Sequence, residues 1–141
     1  MFANQGSPAL AYARVGMETG VQAADPHKLI LMLFEGALLA ISRARLHLQR
    51  KEIAEKGRAV SHAIEIIGNG LKASLDMEVG GDLAGKLGAL YDYMCLRLLT
   101  ANLENDDAAF AEVSRLLAEI KGAWEEIAGN PAVHPANQAA A

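Results

Sequence analysis

The sequence holds one cysteine, Cys95, so no disulfide can close within the chain. That suits a reducing compartment. Aromatic residues are scarce, at 5%, and the 52% hydrophobic share sits mainly in Leu, Ala, Ile and Met. This mix favours helix over strand. Basic residues are not in surplus: the net charge is −4 and the pI is about 5.5. A nucleic acid or other polyanion is therefore not an expected partner, because binding one needs an excess of Lys and Arg. Long apolar runs are missing too. The longest, residues 29–34, falls far short of the roughly 20 residues that span a bilayer. Residues 1–10 have neither a basic region nor an apolar run and do not read as a signal peptide. A cytosolic protein without stable membrane insertion is the simplest expectation.

What is present is helical periodicity. The length of 141 residues fits one domain. Residues 1–10, with Asn4, Gly6, Ser7 and Pro8, read as a flexible terminus. Leu10, Tyr12, Val15 and Met17 could form a short helix that Gly16 and Gly20 weaken. Asp25-Pro26 then marks a helix start, with Asp25 as cap and Pro26 in the first turn. Four apolar stripes at three- and four-residue spacing predict helices over 26–50, 52–75, 83–102 and 108–128. Gly80-Gly81 breaks the pattern before the third, and Asn105-Asp106-Asp107 before the fourth. Residues 129–141, with Pro131 and Pro135, lack a core pattern and read as a disordered tail. Short connections make neighbouring helices antiparallel. The expected fold is an all-α, up-down four-helix bundle over 11–128, with a short N-terminal segment or helix packed on it.

The chemistry of an enzyme is largely missing. Residues 80–87 fit the first seven positions of a phosphate-binding loop, but Leu87 stands where a magnesium-binding hydroxyl is needed, and a helix rather than a strand precedes it. A di-iron bundle needs two Glu-x-x-His pairs. His62 and Glu65 occur once, in reverse order, and His27, His47 and His134 have no matching partner. Cys95, among Met94, Leu96 and Leu98, reads as a buried, inert thiol. No catalytic, cofactor or metal site is expected.

The informative feature is a surplus of apolar helix face. A bundle helix needs a stripe about 100° wide. The first predicted helix widens its stripe with Leu29, Met32 and Leu39, and the third adds Tyr93, Leu96, Leu99 and Leu103. Two explanations stay open. These helices are the more buried pair, or they leave a groove for a partner's amphipathic helix. A segment bearing Leu10, Tyr12 and Val15 could cover such a groove.

At this point the order of several short motifs resembles one family. Ala11-Tyr12, Glu18-Thr19, Asp25-Pro26-His27-Lys28-Leu29-Ile30-Leu31-Met32-Leu33-Phe34-Glu35-Gly36-Ala37, Ile64-Glu65-Ile66-Ile67, Gly80-Gly81-Asp82-Leu83-Ala84, Leu90-Tyr91-Asp92-Tyr93-Met94 and Ala123-Trp124-Glu125-Glu126-Ile127 are similar to FliS, the flagellin export chaperones. The likeness covers about residues 10–128. Tyr is common in the family where Phe34 stands. The resemblance implies a non-enzymatic helical bundle that binds the C-terminal segment of flagellin in the cytosol. It implies that this binding prevents premature polymerisation and assists delivery to the flagellar type III export apparatus, with export-gate components as further partners. A homodimer is left open; a self-associating bundle or a helical metal enzyme are the alternatives. The partner-binding residues expected on this basis are Leu10, Tyr12 and Val15 in the covering segment, Leu29, Met32, Leu33 and Leu39 on the first helix, and Tyr91, Tyr93, Leu96 and Leu99 on the third.

Overall fold

The computed structural model describes residues 25–127. They form four helices: α1 (Pro26–Gln49), α2 (Ile53–Ile66), α3 (Met77–Glu104) and α4 (Asp107–Glu126). No strand occurs among the described residues. The expected flexible terminus, the tail 129–141, and Leu10, Tyr12 and Val15 lie outside them.

Local chemistry sets the helix ends. The Asp25 carboxylate accepts the Lys28 N–H at 3.2 Å, and Pro26 occupies the first turn without losing a bond. Asp76 accepts from Glu78 and Val79 at 3.1 and 3.0 Å, and Asp106 from Ala109 at 3.3 Å. Asn105 ends α3 in the left-handed conformation at φ 55°, which a short polar side chain tolerates. α2 runs on through a wider π turn (Ile67–Leu71) and a tight turn (Lys72–Ser74), so the second helical stretch extends to Ser74. The third predicted helix begins earlier than residue 83. One turn forms at Met77, and Gly81, at φ 53° and ψ −129°, kinks the chain before the helix resumes. A side chain would strain that backbone.

In the resulting square, α1 packs against α2 and α4, and α3 against the same two. α1 and α3 therefore stand on a diagonal. Phe34, Ile41, Val60, Tyr91, Met94, Leu98, Phe110 and Leu117 are fully enclosed between the four. Each large side chain taken from water contributes about 1.5–3 kcal/mol. Polar clasps lock the two ends. The Trp124 indole stacks on His27, centroids 4.5 Å apart, and donates its N–H to the His27 carbonyl at 3.1 Å. At the other end the buried Lys56 ammonium donates to the Asn102 carbonyl at 2.9 Å and to the Asn105 side chain. It thereby satisfies the electronegative C-terminus of α3.

Candidate partner-binding surfaces

The glycine-rich stretch 80–87 is the kinked start of α3, and Lys86 is exposed on it. Among the described residues no three His, Cys, Asp or Glu side chains gather closely enough to hold a metal ion. Cys95 is half-buried, its Sγ 3.8 Å from the Ile64 carbonyl, and burial pushes its thiol pKa up. What the surface offers instead is apolar side chains.

The expected binding residues fall into three groups. Leu33 and Tyr91 are core residues, 5% and 0% exposed. Both continue the stripes that hold the bundle together, so they offer nothing to a partner in this conformation. Leu29 and Met32 are half-buried and Leu39 is 52% exposed, all on α1. Tyr93 is exposed, but its hydroxyl donates to Glu112 of α4 at 2.5 Å. Leu96 and Leu99 are 65% and 48% exposed, and Leu103, four residues past Leu99, reaches 78%. Because α1 and α3 are diagonal, these leucines do not share a groove with Met32 and Leu39.

The partner of the α3 row is α2. The two helices touch where Cys95 meets Ile64 and where a Cβ on Gly68 would lie 3.8 Å from the Cys95 sulfur. Lys72 pairs with Asp92 at 2.7 Å on one side of that contact. Lys56 reaches the end of α3 on the other. Those two anchors put Leu99, one turn beyond Cys95, level with the turn of α2 carrying Gly57 and Ser61. A Cβ placed on Gly57 would meet nothing within 4 Å. A furrow results: one bank is Leu96, Leu99 and Leu103, and the other is side-chain-poor, ending at Ile53, which is itself exposed. This suits an amphipathic helix bringing its own bulk.

The opposite flank of α3 is closed. Glu112 accepts from both Tyr93 and Arg97, the latter at 2.7 Å. The Tyr93 hydrogen bond, then Arg97, hold its carboxyl below the usual range. Near the start of α3, Leu83, Leu87, Ile120, Ala123, Trp124 and Ile127 line an almost purely apolar hollow of about 250 Å³ floored by Phe34.

The family model for flagellar protein FliS matches residues 8–131. The chain belongs to the FliS family. It is 55% identical over 117 residues to the flagellar secretion chaperone FliS of Salmonella typhimurium, covering 83% of this chain and 87% of that one. It is 44% identical over 133 residues to the flagellar secretion chaperone FliS of Escherichia coli, covering 94% and 96%. The flagellar secretion chaperone FliSB of Pseudomonas aeruginosa is 47% identical over 116 residues, covering 82% and 91%. These are chaperones, and the family is not enzymatic. No helix among the described residues is long and apolar enough to cross a membrane.

Sequence reasoning missed the α2 bank. Its signal was present in Gly57 and Gly68, which each cost a helix about 0.5–1 kcal/mol relative to Ala. Only Gly68 lies near a neighbour, 3.8 Å from the Cys95 sulfur; at Gly57 the missing side chain leaves open space.

Proposed function

We propose that this chain binds the C-terminal helical segment of flagellin in the cytosol, keeps it from polymerising early, and assists its delivery to the flagellar export apparatus. The observation that supports this most is the row Leu96–Leu99–Leu103, exposed beside the glycine-bearing turn of α2. A protein does not leave three aligned leucines in water without cost. A client segment that polymerises through its own apolar helix face would bury both faces at once. The gain is on the order of a few kcal/mol for the leucines alone, part of it offset by ordering the client.

In this reading residues 11–128 are the chaperone unit. Leu10, Tyr12 and Val15 act as a cover that leaves when the client arrives, Leu29 and Met32 supply a secondary contact, and components of the export gate receive the loaded complex. Calorimetric titration with a flagellin C-terminal peptide tests it. Saturable binding with a negative heat-capacity change is expected. Unaltered binding by a folded Met32→Glu/Leu96→Glu variant would show that the client lies elsewhere. A dimer that persists with saturating peptide would favour the self-associating bundle.

A further inference from the structure

The charge of this acidic chain is unevenly placed. Residues 43–62 hold six of its thirteen Lys and Arg and two of its seventeen Asp and Glu. That stretch therefore carries +4 and the remainder −8, with His neutral. It spans the second half of α1, the connection, and the first half of α2, which pack side by side. Arg45 is committed to Asp107 at 2.8 Å, and Lys56 to the end of α3. Glu55 is taken by Arg58 at 2.9 Å, and Glu52 by His47 at 2.7 Å. Arg43, Arg50, Lys51 and His62 have no ion-pair partner among the described residues, and Arg43, Arg50 and His62 are exposed.

The arrangement on α1 is specific. Leu39, Arg43, Leu46 and Arg50 follow one another at spacings of four, three and four, so they form one outward stripe of alternating leucine and arginine. All four are exposed. Beside it, between α1 and α2, lies a shallow trough of about 260 Å³ lined by Ala40 and Ala59, by Arg43, His47 and His62, and by the paired Arg58 and Glu55.

We propose that this face docks an acidic amphipathic helix of a second protein, separately from the client furrow. Leucines on the guest would pack against Leu39 and Leu46, and its carboxylates would meet Arg43 and Arg50. Charge complementarity selects that guest and speeds its arrival. A nucleic acid is the poorer fit, because half of the stripe is leucine and a phosphate backbone gives leucine nothing to pack on. The α1 stripe and the α3 row lie on diagonal helices, so both can be filled together.

The test uses the full chain and a labelled synthetic helix with Leu at three- and four-residue spacing flanked by Glu, against the same peptide with Gln for each Glu. The Glu peptide is expected to bind saturably, and the Gln peptide at least roughly tenfold more weakly. Raising NaCl from about 50 to about 500 mM, and the variant Arg43→Glu/Arg50→Glu, should each cost a similar factor. Both arginines are exposed, so the fold should hold; Arg43→Gln/Arg50→Gln serves if circular dichroism shows otherwise. Saturating flagellin C-terminal peptide should not displace the probe. Absence of binding, equal binding of the two peptides, indifference to both arginine variants, or displacement by the flagellin peptide would overturn the proposal. So would tighter binding of a single-stranded oligonucleotide, or occupation of this face by a second copy in sedimentation.

Discussion

The two flanks of α3 meet their neighbours in opposite ways. Toward α4 the seam is closed by long side chains that satisfy one another: Tyr93 and Arg97 converge on Glu112. Toward α2 it is pinned at Lys72–Asp92 and at the Lys56 clasp, and between them the Gly57 turn, level with Leu99, leaves open space. The same helix is a wall on one side and a bank on the other. The difference is made by the neighbour: α4 offers a carboxylate, and α2 offers glycine.

The sharpest way to break this contrast is to truncate two adjacent leucines. Leu98 is fully enclosed, whereas Leu99 stands on the open bank. Leu98→Ala is expected to cost about 2–5 kcal/mol in chemical denaturation, and Leu99→Ala less than about 1 kcal/mol. Comparable losses would mean that the furrow is filled in solution. The converse holds for binding. Leu96→Glu/Leu99→Glu should leave helicity and Tm nearly unchanged and weaken a flagellin C-terminal peptide at least roughly tenfold in calorimetry, which is about 1.4 kcal/mol.

Most of the architecture was legible in the residues. Asp25-Pro26 and Asn105-Asp106-Asp107 announce helix ends because their side chains cap free N–H groups, and the structure puts those ends within a residue or two of the expected places. The Gly80-Gly81 break was legible as a break. It was not legible as a kink with a helical turn before it, because Asp76 caps a turn that the apolar pattern does not reveal. The site was less readable. Leucine surplus on two helices says that a face is spare, but not which neighbour borders it. An up-down bundle puts its first and third helices on a diagonal, which separates Met32 and Leu39 from Leu96 and Leu99. Leu33 and Tyr91 lie on the core stripes, and periodicity assigns them to the interior, where they are.

Smaller effects sharpen the comparison further. Gly57→Ala is expected to stabilise α2 by about 0.5–1 kcal/mol, since the added methyl meets open space and restricts the unfolded chain. A loss of stability in thermal unfolding would mean the furrow is tighter than described. The smallest effect belongs to the closed flank and is a matter of pH. The Tyr93 hydrogen bond and Arg97 depress the folded-state pKa of Glu112 below its ordinary 4.5. Its contribution is therefore present above that value and lost as pH falls through the folded one. Arg97→Gln should flatten the decline in denaturation midpoint between about pH 6 and about pH 3 relative to the parent. An unchanged slope would remove the carboxylate from the account of that seam.

The most direct measurement is methyl NMR of leucine-labelled protein with a flagellin C-terminal peptide. The furrow predicts intermolecular NOEs from the peptide to the methyls of Leu96, Leu99 and Leu103, with none to Leu39 or Leu46 at its centre. NOEs centred instead on Leu83, Leu87 and Ile127, with the Leu96–Leu103 methyls unshifted, would contradict it.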